Sequence, residues 1–100
     1  MRPLRVILFR DPEASCWVAQ GLEVDLNAQG RTEQAAVDAL KATMALREEL
    51  DRSAKREPFS RTRPADEKYF EMLKHGEPWV PSQKTASSDG PAFSVILSAH

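Results

Sequence analysis

The sequence predicts an α+β domain: a small antiparallel sheet, in the order β-β-β-α-(α)-β, packed on one long helix. Three observations predict it. Residues 16–29 alternate with period 2, the mark of a half-buried sheet. Residues 33–55 contain no proline or glycine and repeat apolar residues at helical spacing. Residues 93–98, FSVILS, return to β-branched and aromatic character late in the chain. Early strands, a long helix and a late strand form a sheet with its helical layer on one face.

One hundred residues, 41% hydrophobic and 29% charged, make one domain with a thin core. Residues 1–57 read as a β-β-β-α core. Residues 58–92 read as a proline- and serine-rich insertion with a short helix at about 64–75. Residues 93–98 close the sheet of the same domain.

Leu4 to Arg10, LRVILFR, is the first strand. Leu4, Val6 and Leu8 share one face while Ile7 and Phe9 take the other, so the strand is expected at the centre or covered on both sides. Asp11 to Ser15, with Asp before Pro, is a turn, and a hairpin follows. Cys16 to Glu23 is the second strand. Cys16, Val18, Leu22, Val24, Leu26 and Ala28 share one parity, with Gln20 its polar interruption, and are expected on the core face. Trp17, Ala19 and Gly21 take the other parity. The run exceeds an average strand, so it breaks near residues 23–25 and leaves 26–29 as a short third strand. Gly21 marks a bulge or a close approach of another backbone.

Gly30-Arg31-Thr32 ends the sheet and starts the helix. The Thr32 hydroxyl suits an N-cap, and Glu33 places an acid in the first turn, where the helix dipole favours it. Ala36, Val37, Leu40, Met44 and Leu50 recur at helical spacing, and Ala39, Ala42, Ala45 and Leu46 widen that stripe. Pro58 stops the helix. Pro64 to His75 forms a short second helix, with Pro64 at its first position, Gly76 after its end, and Tyr69, Phe70, Met72 and Leu73 on its apolar face. Residues 77–81 are extended, and residues 82–90 read as a flexible linker.

Residues 17–46, from WVAQ through LE, QG, Thr32, Glu33, Ala35 and Ala36, resemble the core of the HicB-like antitoxin family. The resemblance implies a partial ribonuclease-H-like fold without catalytic acids. It implies a protein that binds and occludes a small RNA-cleaving toxin of the HicA type. Many members of that family add a DNA-binding module after the core. Only Ala99 and His100 follow the last strand here, so direct DNA binding is not expected without an added module.

The expected function is therefore non-catalytic protein binding. The alternative is an orphan homo-oligomeric or adaptor domain with no toxin. Candidate partner or oligomer contacts are Trp79, Val80, Phe93, Val95, Tyr69 and Phe70, because aromatic residues dominate binding hot spots. Trp79, between two prolines in an extended segment, leads this set. A dimer or higher oligomer is expected, with contacts at residues 77–98 or at a sheet edge.

Other chemistry has a structural explanation. Asp11, Glu13, Glu23 and Asp25 read as surface acids near strand ends. His75 complements a helix dipole, and His100 stands 25 residues away, so no metal or cofactor set forms. The single cysteine, Cys16, reads as a buried strand thiol and excludes an internal disulfide. A net charge of −1 argues against a dedicated nucleic-acid surface. The basic run from Arg52 to Arg63 reads as a solvated helix end. No apolar run approaches a signal sequence or a membrane span, so a cytoplasmic protein is expected.

Overall fold

The two-sided strand LRVILFR becomes β1 (Leu4–Asp11) and takes the middle of the sheet. The structure, a computed structural model, describes residues 4–79 and 93–98. The remaining elements are β2 (Cys16–Gly21), β3 (Asn27–Gly30), α1 (Glu33–Ser53), α2 (Glu67–Met72), β4 (Gly76–Pro78) and β5 (Phe93–Ser98), with a 3₁₀ turn at Leu73–His75. Among the described residues the sheet has five strands in the order β3-β2-β1-β5-β4.

The sheet is mixed, which corrects the expected antiparallel sheet. β1 pairs antiparallel with β2, and β2 with β3, as sequential hairpins do. β5 pairs parallel with β1, in the register Leu4↔Phe93 to Leu8↔Leu97. The open ladder of β1 sets the neighbour of the late strand, and the chain path, which brings β4 in opposite to β1 and pairs it antiparallel with β5, sets its direction. β2 already occupies one edge of β1, so β5 docks on the other. β4 then pairs antiparallel with β5. The hydrogen bond from Trp79 N to Val95 O, 3.0 Å, extends that pairing by one residue.

Both sheet faces are covered, which corrects the expectation of a single helical layer. On one face Val6, Leu8 and Ala19 are buried with Ala36, Val37, Leu40 and Met44 of α1. On the other face Ile7, Leu22 and Ala65 form a second buried cluster, with Phe9, Tyr69, Phe70, Met72, Leu73 and Ile96 packed against it. The apolar residues on both faces of β1 required this second cover. Alternate residues of β5 obey the same rule: Phe93, Val95 and Leu97 pack toward α1, and Ile96 packs toward α2.

The single core parity expected for residues 16–28 does not persist. The β2–β3 pairing sets Ala19 opposite Ala28 and Gln20 opposite Asn27, so residues of opposite parity share a face across the turn. Trp17, Ala19 and Ala28 therefore pack on the α1 side. The turn itself divides its apolar residues: Leu22 goes to the α2 cluster and Val24 to the α1 cluster. Gln20 is buried and organises this turn. Its Nε2 donates to Gly21 O and to Asp25 Oδ1, both at 2.9 Å. Gly21 is a close backbone approach, as expected: an added Cβ would lie 2.5 Å from Val24 O and 2.6 Å from Met44 Cε.

α1 starts as the sequence indicates. The Thr32 hydroxyl accepts from Ala35 N at 3.0 Å, and Glu33 occupies the first turn. Its buried face is Ala36, Val37, Leu40, Met44, Glu48 and Asp51. Leu46 and Leu50 do not belong to it, which corrects their place in the core stripe. They are 58% and 53% exposed and point away from the sheet. α2 starts at Glu67 with Asp66 as its cap, and not at Pro64, because Ala65 N is held by Leu22 O at 2.8 Å in an extended approach to the sheet. No described helix is long and apolar enough to cross a membrane.

Candidate interaction surfaces

The predicted contact residues fall on opposite faces of the sheet. Trp79, Phe93 and Val95 lie on the α1 face, packed against its core. Tyr69 and Phe70 lie on the α2 face. Val80 and residues 81–92 lie outside the described residues, as does His100.

On the α1 face, Trp79 follows β4 and its indole Nε1 donates to Glu33 Oε2 at 2.7 Å. The ring is half-buried. Phe93 and Val95 stand in register with Leu4 and Val6 of β1. These three side chains close one end of the core while keeping part of their surface in solvent.

On the α2 face, the Phe9 and Tyr69 rings stack with centroids 5.9 Å apart. Arg5 lies over the Phe70 ring at 5.5 Å, and Lys68 over Tyr69 at 5.0 Å. Arg5 is itself held by Glu23. Its Nε donates to Glu23 Oε2 at 2.6 Å, and its backbone N donates to Glu23 Oε1 at 2.7 Å. The alternation of β1 places Arg5, Ile7 and Phe9 on one face, and α2 sets Tyr69 and Phe70 above them. The result is a half-buried aromatic platform with two cations over its rings. Asp66, Glu67 and Glu71 of the same segment are exposed.

The acids near the strand ends have separate partners. Asp11 Oδ1 accepts from Glu13 N at 3.0 Å and orders the first turn. Glu23 binds Arg5, and Asp25 accepts from Gln20. Among the described residues no group of three or more His, Cys, Asp or Glu side chains is placed to hold a metal ion. Cys16 is half-buried rather than buried, because it pairs with Asp11 next to the exposed turn that closes the first hairpin.

Asp51 is the buried acid that the sequence reading passed over. It is fully buried at the last turn of α1. Its Oδ2 accepts from Phe59 N at 2.8 Å, and its Oδ1 accepts from Arg56 Nη2 at 3.0 Å and Nε at 3.2 Å. The Phe59 amide holds the carboxyl below its ordinary pKa; burial opposes this, and the Arg56 guanidinium reinforces it. Lys55 and Phe59 adopt φ of 60° and 64°, in the left-handed region. Asp51 thus fixes a strained turn that reverses the chain after α1. The available signal was its spacing: Val37, Leu40, Met44, Glu48 and Asp51 follow one another by three or four residues, just ahead of a basic run. Two arginines of that run are accounted for, Arg52 against Glu48 and Arg56 against Asp51.

No protein-family model, curated protein or solved structure matches this chain.

Proposed function

We propose that the chain is a protein-binding domain of the HicB-like antitoxin kind. It sequesters a small RNA-cleaving toxin of the HicA type by contact. The platform of Phe9, Tyr69 and Phe70 under Arg5 and Lys68 carries this reading. Aromatic and arginine side chains that are partly buried and held in place lose little entropy on docking and supply most of the energy of an interface. The exposed acids Asp66 and Glu67 are offset by Lys68, and Glu71 is bridged to Lys74, so docking here rests on the rings rather than on charge. The resemblance of residues 17–46 supplies the partner class.

The test pairs the full chain with the product of a neighbouring reading frame that encodes a short, basic, single-histidine protein. The two are expected to copurify, and the chain is expected to suppress RNA cleavage by that product. Lys68→Glu, an exposed position over the Tyr69 ring, should weaken the complex by about tenfold with an unchanged circular dichroism spectrum. Absence of a complex overturns the toxin reading. Cleavage of RNA by the chain alone, lost on changing His75, replaces it with an enzyme.

A second reading, a homo-oligomeric adaptor without a toxin, is favoured by one observation: Leu46 and Leu50 face solvent on α1.

A further inference from the structure

The two edges of the sheet differ in what they leave unpaired. Gly21 N donates to Leu26 O at 2.8 Å, which fixes the phase of the β2–β3 ladder. Leu26, Ala28 and Gly30 turn their backbone groups toward β2, and Asn27 and Gln29 turn theirs outward. Among the described residues nothing bonds these two N–H groups or these two carbonyls. The strand itself, NAQG, carries no proline and no charge. At the other edge, the bond from Trp79 N to Val95 O sets Gly76 and Pro78 of β4 outward. Gly76 N donates to Leu73 O, and Pro78 has no N–H, so β4 offers no donor to a further strand. A proline blunts one edge, and nothing comparable blunts the other.

The free groups of β3 complement themselves. Set antiparallel to its own copy about Ala28, Asn27 of each chain faces Gln29 of the other. Every outward N–H and carbonyl of these residues then finds a partner. The two ends of the strand are flanked by opposite charges, Asp25 and Arg31, both exposed. Among the described residues neither forms an ion pair. The antiparallel arrangement sets each Asp25 opposite Arg31 of the second copy, whereas a parallel one would bring like charges together. Arg63 O already takes Asp25 N at 2.7 Å, so the added ladder ends there.

The helix fits the same axis. α1 packs over β3 and β2. Ala35 and Ala36 lie against Gly30, and Met44 lies against Gly21, which is bonded to Leu26. α1 therefore runs back along β3, with Leu40 level with Ala28. An axis over the β2–β3 boundary lies about 5 Å from the dyad, so the two α1 axes run antiparallel about 10 Å apart, at packing distance. The flank on the Gly30 side starts at Ala35 and continues at helical spacing through Ala39 and Ala42, small enough to admit that approach. The exposed Leu46 extends the same line.

We propose that β3 is a self-pairing edge, which takes β3 of a second copy of this chain antiparallel about Ala28 and joins the two sheets into one. The aromatic platform lies over β1, away from this edge, so the dimer is compatible with either reading of function and is tested separately from both.

Sedimentation equilibrium of the full chain across concentration should show a dimer. Gln29→Pro removes an outward N–H that the single copy does not use, as Pro78 does at the other edge, and should yield a monomer with an unchanged circular dichroism spectrum. Arg31→Glu, at an exposed position, should weaken the dimer by about tenfold, because each chain then sets an acid against an acid. Amide hydrogen exchange of the natural chain reads the edge directly and needs no variant. The Asn27 and Gln29 amides should gain protection as the dimer forms, while the Ala28 amide, turned toward β2, is protected at every concentration. A monomer at the highest soluble concentration overturns the proposal. So does a folded Gln29→Pro chain that still dimerises, or a dimer whose Asn27 and Gln29 amides exchange as fast as those of the monomer. Protection of these amides only when the neighbouring-frame product is added would give the edge to that protein and overturn the second copy as its occupant.

Discussion

Trp79 Nε1 donates to Glu33 Oε2 at 2.7 Å, joining positions 46 residues apart. The bond ties the end of β4 to the first turn of α1. It also holds an acid at a helix start, where the dipole already favours negative charge. Trp79→Phe keeps most of the ring and removes the donor. The expected loss is about 1.5–3 kcal/mol, the range for a hydrogen bond to a charged group. Urea unfolding should show a lower midpoint with the same slope. Equal midpoints would mean that the indole does not hold Glu33 in solution.

Gly30 makes a different demand. A Cβ there would press on the backbone nitrogen of Ala36 and lie 2.7 Å from the carbonyl carbon of Ala35. These are main-chain atoms of α1, so relief requires moving the helix off the sheet. Gly30→Ala is expected to cost about 2–3 kcal/mol by overpacking. For a domain of this size that lowers the melting temperature by about 10 °C or more. An unchanged melting curve would show that the β3–α1 junction is looser than its contacts require.

Asp51 makes stability depend on pH at the acid end. Its folded pKa is lowered from 3.8, first by the Phe59 amide. Between the folded and unfolded values the unfolded chain holds more protons, so stability rises with pH there. The contribution is complete above the unfolded value and disappears as pH falls through the folded one. Asp51→Asn should therefore be less stable than the natural chain at neutral pH, and the difference should shrink below about pH 4. Denaturant titrations from neutral to acid pH check this. A difference that stays constant with pH would show that the carboxylate charge is not what holds the 55–59 turn.

Much of this fold was legible because its signals are local. Two-sided apolar alternation put β1 in the middle, the Asp11–Ser15 turn made a hairpin, and Thr32 capped α1. What was not legible depends on partners distant in sequence. The edge of β1 that receives β5 follows from where β2 sits, and its parallel direction from its antiparallel pairing with β4, which runs opposite to β1; no period reveals either. The parity change between Ala19 and Ala28 arises from the number of residues in one turn. Leu46 and Leu50 passed as core residues because alanines lie on both the buried and the exposed sides of α1 and blur its apolar face. Tyr69 and Phe70 were identifiable as the apolar face of a short helix and as contact candidates, but Arg5 and Phe9 join them only through the fold. Asp51 was hidden because an acid at core spacing signifies burial only when its donors, Arg56 and Phe59, fold back onto it.

The two leucine classes of α1 provide the sharpest contrast. Leu40 is fully buried against the sheet, and Leu50 is 53% exposed. Leu40→Ala removes a core side chain and leaves a cavity, at an expected cost of about 3 kcal/mol. Leu50→Ala in an isolated chain should change stability by less than about 0.5 kcal/mol. If α1 pairs with a second copy, Leu50→Ala acquires a cost that rises with protein concentration, because dimerisation stabilises the folded state by mass action. The cost of Leu40→Ala contains a fixed part that dilution does not remove. Unfolding curves for both variants at two concentrations separate the cases. A Leu50→Ala cost near that of Leu40→Ala at the lowest concentration would place Leu50 in the core of the monomer, contrary to its exposure.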